Sequence, residues 1–219
     1  MEIKSVTAEV VEYLRNKIII GELAPGQKLD ENPLSSDLGV SRPPLREAFR
    51  ILERENIVLN IPRKGTYVTE ISKKDLQNLY YAREMIDCYA IDLFEVQNVR
   101  HVPRAASVLE LARGLTVPPL DNPREYLAYY EMVSDFHFKL IEATGNPWLI
   151  SFKYAIYSNQ ARYRLINIRK SHASGSLETS LKEHQQILDA LGIGDYGQAK
   201  KIMKYHVKRG LLAIENSIA

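Results

Sequence analysis

The sequence predicts a mainly α-helical protein that contains one small β-hairpin. Three observations support this fold class. Apolar residues recur at helical spacing in the first third of the chain, a segment after Glu55 alternates with a period of two, and only helical patterns follow from Ser72. The 219 residues suffice for two domains. We expect these domains at residues 1–70 and 72–219, because the hydrophobic period changes near Ile71.

The first two helices are short, and a turn separates them. The first is expected from Val6 to Ile19 with apolar residues on one face, and residues 21–26 then interrupt it with two glycines and a proline. The second is expected to begin after Asn32 as its N-cap, with Pro33 in the first helical position. We expect it to end at Gly39, a residue type that often terminates helices.

A third helix follows Ser41, which we expect to be its N-cap. Two prolines stand in its first turn, where a missing N–H has no helical partner to lose and the fixed φ favours initiation. Its arginines recur every four residues and therefore share one face, away from the apolar positions of the same helix. They are Arg42, Arg46 and Arg50.

The alternating segment predicts a β-hairpin with a basic tip. Its strands are expected over residues 57–61 and 66–69, on either side of the turn Pro62-Arg63-Lys64-Gly65. Three short helices followed by a hairpin are typical of a winged helix-turn-helix. In that fold the third helix and the hairpin, or wing, face DNA.

The remaining sequence predicts an all-α bundle of about six helices. Ser72 is expected to cap the first of them. Later helices are expected at residues 124–143, 148–170, 177–191 and 196–217. Proline, glycine and small polar residues predict loops at 114–123 and 172–176.

The composition excludes a disulfide-stabilised protein and a helical membrane protein. The chain is 45% apolar and 26% charged with a net charge of +2, which is ordinary for a globular protein. No apolar run reaches about 18 residues, and we expect no signal peptide. Cys88, the one cysteine, is interpreted as a buried small residue, and we expect a reducing cytoplasm.

Positive charge is concentrated where a winged helix-turn-helix would meet DNA. Residues 1–70 carry ten basic and eleven acidic residues, whereas residues 42–64 carry six basic and three acidic ones, a net of +3. The planar fork of arginine bonds guanine O6 and N7 together, or clamps a phosphate. The pattern favours DNA binding, although a solvated helix face with i, i+4 ion pairs is the alternative. The candidate contacts are Ser41, Arg42, Arg46, Arg50, Arg63, Lys64 and Gly65.

Three histidines stand on three predicted helices of the second half: His137, His184 and His206. If they converge in the core of the bundle, their imidazoles suit a divalent transition metal. Each one alone is as compatible with core packing or with the surface.

Residues 14–68 resemble the winged helix of GntR-type bacterial regulators. The motifs that carry the resemblance are GELAPGQKL at 21–29, LGVSRPPLREA at 38–48 and RKGTYV at 63–68. The resemblance implies that Arg42 and Arg46 contact DNA and that Gly65 lets the wing tip approach the minor groove. Asn32 stands where many members carry an arginine that also contacts the operator.

The second half resembles the FCD effector domain of the FadR subfamily. The resemblance rests on FH at 136–137, ATGN at 143–146, EHQQILDA at 183–190 and His206. Metal-binding members use three histidines and an aspartate four residues before the first, and Val133 occupies that position here. Asp135 does not replace it, because two residues along a helix turn a side chain by about 200°. The resemblance implies zinc or nickel on the three histidines, with loss of the metal as the alternative.

The resemblance also suggests effector-binding residues. Arg83 precedes Asp87 by four residues, as in the family, with an ordinary i, i+4 ion pair as the alternative. Arg164 is a second candidate clamp for a carboxylate. Tyr130 shares a helix face with His137 and offers a hydroxyl, with core packing as the alternative.

We therefore expect a homodimeric cytoplasmic transcriptional regulator, most simply a repressor, that releases a palindromic operator when a small organic acid binds. The alternative from another class is a metal-dependent enzyme that uses the three-histidine site. A third interpretation is a structural metal, or none, with the effector held by Arg83 and Arg164 alone.

Overall fold

The protein is described by a computed structural model that covers residues 5–116, 118, 122–171, 176–216 and 218. It is mainly helical, as predicted. The helices are α1 Val6–Ile19, α2 Glu31–Leu38, α3 Arg42–Arg54, α4 Lys73–Gln97, α5 Pro103–Arg113, α6 Pro123–Ala143, α7 Pro147–Ser171, α8 Ser176–Gly192 and α9 Tyr196–Glu215. The strands are β1 Lys28–Leu29, β2 Val58–Ile61 and β3 Gly65–Val68. The predicted loops at 114–123 and 172–176 lie partly outside the described residues.

The chain divides into two compact units. The first comprises Met1–Ile71 together with Tyr157–Arg162, and the second comprises Ser72–Ile156 and Tyr163–Ala219. The short segment of α7 is hydrogen-bonded within the first unit, where Ser158 Oγ donates to Glu55 Oε2 at 2.7 Å and Asn159 Nδ2 donates to the Glu55 carbonyl at 2.8 Å. The sequence pattern did not indicate this contribution of α7.

One apolar core holds the first unit together. Leu14 of α1 and Leu45 and Leu52 of α3 are completely buried there, as is Ile57. Burial of each such side chain stabilises the fold by about 1.5–3 kcal/mol. Because the same α3 positions recur at helical spacing, the opposite face of that helix is left exposed to solvent.

The wing belongs to a three-stranded antiparallel sheet with the order β1-β3-β2. The predicted hairpin is formed by β2 and β3, in which Val58 pairs with Val68 and Ile61 with Gly65. The third strand, β1, was not predicted, because two residues are too few to display a period of two.

The start of α2 differs from the prediction. Its N-cap is Asp30 and not Asn32, so that Pro33 lies in the first turn, where proline is tolerated. Asp30 makes no side-chain cap hydrogen bond, and its carboxylate pairs with Lys28 Nζ at 2.9 Å. Gly39 ends the helix in the left-handed conformation, with φ 63°, as expected.

The second unit is a helical bundle. Ser72 caps α4 by accepting a hydrogen bond from the backbone N–H of Asp75 at 3.0 Å, as predicted. Helix α4 packs against α9 and α6, and α8 packs against α9 and α5. Among the described residues, no helix is both long and apolar enough to cross a membrane.

Candidate functional sites

Helix α3 presents its arginines to solvent. Ser41 is its N-cap in position and backbone conformation, although the hydroxyl makes no cap hydrogen bond. Arg42, Arg46 and Arg50 are exposed, whereas the apolar face of the helix is buried. The structure therefore leaves the predicted arginine stripe accessible to a ligand.

The wing brings further positive charge beside this helix. Its turn contains Arg63 with φ 66° and Gly65 with φ 110°, and a Cβ on Gly65 would lie 3.3 Å from Lys28 Cε. Arg63 and Lys64 are exposed at the tip. A groove of about 470 Å³ lies between the helix and the wing, and its basic lining comes from Lys28, Arg46, Arg50, Arg63 and Lys64.

Two of the arginines already have acidic partners. Arg46 Nε lies 3.0 Å from both carboxylate oxygens of Glu31, and its Nη2 lies 2.9 Å from Glu31 Oε2. Arg50 Nη1 pairs with Glu47 Oε2 at 3.2 Å. The Glu31 contact was not predicted, because α2 and α3 meet only in the tertiary structure. It fixes one edge of the Arg46 guanidinium and leaves Nη1 outside the pair.

In the second unit the three predicted histidines converge. His137 of α6, His184 of α8 and His206 of α9 are all buried, and one ring nitrogen from each lies within 4.8 Å of the others. The Nε2 atoms of His137 and His184 are 3.2 Å apart. The His184 ring also stacks on Phe136 with centroids 4.0 Å apart.

Carboxylates orient two of these rings. His206 Nδ1 donates to Glu183 Oε2 at 2.7 Å, and Arg209 donates to the same carboxylate, from Nη2 to Oε2 at 2.7 Å and from Nε to Oε1 at 2.8 Å. His137 Nδ1 lies 3.1 Å from Asp87 Oδ2, although without full hydrogen-bond geometry. Both rings therefore present Nε2 to the centre of the cluster, the arrangement that outer carboxylates commonly impose on metal-binding histidines.

Arg83 enters the same cluster. Its Nη2 donates to His137 Nε2 at 3.0 Å and to His206 Nε2 at 3.4 Å, while its Nε donates to Asp87 Oδ2 at 3.2 Å. Lys153 Nζ donates to the other oxygen of Asp87 at 2.9 Å. Asp87 is thus the shared acceptor of two buried cations.

The electrostatics keep the histidines neutral. Burial lowers the pKa of His137 to about 3 and the pKa of His184 well below its usual value, and it also lowers that of His206. Burial opposes ionisation of Asp87, but the nearby charge of Lys153 and its other partners hold the Asp87 pKa well below the usual value. Burial also lowers the pKa of Lys153, to about 8, against the opposing effect of Asp87. Neutral imidazoles are the form that binds metals.

The donor set fits a divalent transition metal. A zinc ion about 2.0–2.1 Å from each nitrogen in tetrahedral geometry separates its ligand atoms by about 3.3 Å, close to the 3.2 Å between the two Nε2 atoms. Three histidines leave one position open, which suits an exchangeable ligand. Asp135 pairs with Lys139 at 3.4 Å.

The remaining effector candidates lie near Arg83. Tyr130 is half-buried, and burial raises its pKa to about 12 while the charges of Arg83 and Arg164 act in the opposite direction. Arg164 is hydrogen-bonded to Tyr126. Tyr130 is therefore within electrostatic reach of both Arg83 and Arg164. The sequence did not indicate that Lys153 is buried or that Glu183 orients His206. Both roles depend on contacts with Asp87 and His206, which are distant in the sequence.

Comparison with known proteins identifies the family. Residues 6–68 match the model of bacterial regulatory proteins of the gntR family, and residues 78–209 match that of the FCD domain. The HTH-type transcriptional repressor GlaR of Escherichia coli (strain K12) is 26% identical over 210 residues, which are 94% of both chains. The gluconate operon transcriptional repressor of Bacillus licheniformis is 32% identical over 177 residues, which are 80% of this chain and 68% of that protein.

The fold agrees with that of a solved relative. A GntR transcriptional regulator from Rhodococcus sp. RHA1 superposes with a TM-score of 0.71 at 24% identity, over 99% of this chain and 100% of that one. The two families describe transcription regulators and not enzymes, so the metal-dependent enzyme considered from the sequence is rejected. Because the FCD match alone spans more than half of the sequence, the chain belongs to the gntR family of bacterial transcription regulators that carry an FCD domain.

Proposed function

We propose that this regulator binds a palindromic operator as a homodimer in the cytoplasm and releases it when a small carboxylate binds to the helical half. Residues 1–70 would form the DNA-binding domain, and residues 72–219 the effector-binding and dimerisation domain. The relatives named above as repressors support repression as the direction of control.

The groove between α3 and the wing carries the DNA-binding proposal. Five basic and three acidic side chains line it, and its net positive charge is complementary to the negative phosphate backbone. Arg42 and Arg46 are positioned on the N-terminal half of α3, the part of a recognition helix that meets base edges in the major groove. Arg50, Arg63 and Lys64 would contact phosphates, while Ser41 and Gly65 would let the backbone approach DNA closely.

The buried cluster carries the effector proposal. Arg83, Arg164 and Tyr130 would bind the carboxylate, because two guanidinium groups and a hydroxyl provide several donors for one anion. His137, His184 and His206 would hold zinc or nickel, which would supply an open coordination position to the effector. The effector would shift the dimer population toward an arrangement whose recognition helices no longer match half-sites about 34 Å apart.

The first test is direct binding to DNA. The full-length protein should bind a fluorescent duplex from upstream of its own operon at moderate salt, and the affinity should fall steeply as salt rises, because phosphate contacts release counterions. A scrambled duplex of equal length serves as the control. Equal affinity for both duplexes, or no binding to either, would refute the proposed operator recognition.

Glu31→Gln is expected to reduce discrimination between the operator and the scrambled duplex. Glu31 holds the Arg46 guanidinium in place, and ordering a released arginine on binding costs about 0.5–1.5 kcal/mol. We therefore expect the ratio of the two dissociation constants to fall by about two- to twelvefold. Anisotropy titrations with both duplexes measure this ratio.

Glu47→Gln provides the matched control, because it removes the same charge from a single-contact pair on the exposed side of α3. Both variants should bind DNA of any sequence somewhat more tightly, since each loses a negative charge near phosphate. Only the Glu31 variant should lose discrimination. Equal ratios in the two variants would show that Glu31 does not position Arg46 for reading bases.

A carboxylate effector is expected to raise the melting temperature and to weaken operator binding. A thermal-shift screen of carboxylic acids, with and without a chelator, identifies the compound and its dependence on metal. For any hit, Arg164→Ala should remove most of the ligand-induced shift, because half of the proposed clamp is lost. Arg104→Ala, which changes an exposed arginine of α5, should leave the shift unchanged. A shift of wild-type size in the Arg164 variant would place the ligand elsewhere.

A further inference from the structure

The guanidinium of Arg83 contacts two of the histidine Nε2 atoms that would coordinate a metal. Its Nη2 is 3.0 Å from His137 Nε2 and 3.4 Å from His206 Nε2, and its Nε is anchored on Asp87. The side chain is buried with them. A guanidinium has only donors, so these contacts draw on the lone pairs of the two imidazoles.

The proton positions follow from the partners of the other ring nitrogens. An ionised carboxylate only accepts hydrogen bonds, so the 2.7 Å contact between Glu183 Oε2 and His206 Nδ1 places the proton on Nδ1. The His206 Nε2 then carries a lone pair. Arg83 can only donate, so its 3.0 Å contact requires a lone pair on His137 Nε2 and places the proton of that ring on Nδ1, on the side of Asp87.

His184 also contacts this hydrogen-bond network. Its Nε2 lies 3.2 Å from His137 Nε2, which carries no proton, so an Nε2 proton on His184 would share the one lone pair of that nitrogen with Arg83 Nη2. The Nε2 lone pairs of His137 and His206 are therefore already engaged by Arg83. A neutral imidazole has one lone pair, and a nitrogen that gives it to an N–H donor has none for a metal.

We propose that Arg83 competes with a divalent transition metal for the histidine Nε2 atoms, so that metal binds only when Arg83 leaves them. The inference rests on the proposed three-histidine site. Charge adds to the competition, because a guanidinium and a dication repel each other strongly in a buried site. By reciprocity, any ligand that draws Arg83 away from the histidines raises the metal affinity.

The test is a cobalt(II) titration of chelator-treated full-length protein, followed by the visible absorption of the bound ion. Arg83→Gln removes the cation and shortens the side chain, and it should bind cobalt about tenfold more tightly than wild type or better, the usual scale of such coupling. Arg100→Gln makes the same change at an exposed arginine of the second unit and should bind as wild type does. His184→Ala should lose the signal.

The results of the cobalt titration distinguish competition by Arg83 from the existence of the three-histidine metal site. Equal cobalt affinity in wild type and Arg83→Gln, with the signal lost in His184→Ala, would overturn the competition and leave the site in place. No cobalt binding by either protein would overturn both. Tighter binding by Arg83→Gln alone supports the competition.

A second measurement uses only wild-type protein and so does not depend on the folding of a variant. In nitrogen-15 NMR spectra of the metal-free protein, the Arg83 guanidinium signals should exchange slowly with water, because the group is buried and hydrogen-bonded. Saturation with zinc should shift these signals and speed their exchange. Unchanged Arg83 signals at saturating zinc would overturn the proposal.

Discussion

Asp87→Asn is expected to destabilise the protein by about 3–5 kcal/mol, the range found when one partner of a buried ion pair is removed. Asp87 is almost completely buried and accepts hydrogen bonds from Lys153 Nζ and Arg83 Nε. The asparagine fits the same space but carries no charge, so two buried cations lose the anion that compensates them. Urea unfolding at fixed protein concentration, in the presence of a chelator, measures the loss.

Asp92→Asn is the matched control on the same helix. Asp92 pairs with Lys200 Nζ at 2.6 Å, but both side chains are about one-third exposed, at 37% and 34%. An ion pair in contact with water contributes about 0–1 kcal/mol, and we expect a loss in that range. If the Asp87 and Asp92 variants lose equal free energy of unfolding, the buried network does not stabilise the bundle as its geometry indicates.

Arg46→Ala is expected to weaken operator binding by about 1–3 kcal/mol, or about 5- to 150-fold in Kd. The side chain lies on the exposed face of α3, lines the groove beside the wing, and is held by Glu31. If Arg46 reads guanine, its loss should also relax the sequence preference at one position. If it clamps a phosphate, affinity should fall equally for all sequences and the salt dependence should become shallower.

Arg54→Ala controls for the general loss of positive charge. Arg54 is exposed in the last turn of the same helix, away from the N-terminal half that meets bases. Anisotropy titrations over a series of operator variants compare the two proteins. Indistinguishable binding by the Arg46 and Arg54 variants would exclude a specific contact from Arg46.

Local sequence determined much of this protein. The spacing of apolar residues defined α1 and α3 and left Arg42, Arg46 and Arg50 exposed on one face, because helical geometry alone sets which residues share a side. Gly39 marked the end of α2, since a left-handed residue is needed there. The alternating pattern and the turn at Arg63–Gly65 indicated the wing in the same way.

The family motifs indicated the function, because the fold alone does not distinguish a regulator from other helical proteins. The sequence placed His137, His184 and His206 on three helices, the motifs then added the expectation of a metal, and the structure brings the three rings together. Comparison with the motifs also showed that Val133 occupies the position where metal-binding members of the family have an aspartate ligand.

Only the tertiary structure decided the chemistry of the two sites. The contact of Glu31 with Arg46 joins two helices, and the contacts of Arg83 with His137 and His206 join residues 54 and 123 positions apart. No local pattern encodes such pairs, because they depend on how the helices pack and on which polar groups must find partners once they are buried. The sequence by itself determined which elements form and which residues carry the chemistry. Helix packing decided that Arg83, which is paired with Asp87, is hydrogen-bonded to His137 and His206 in the interior of the bundle.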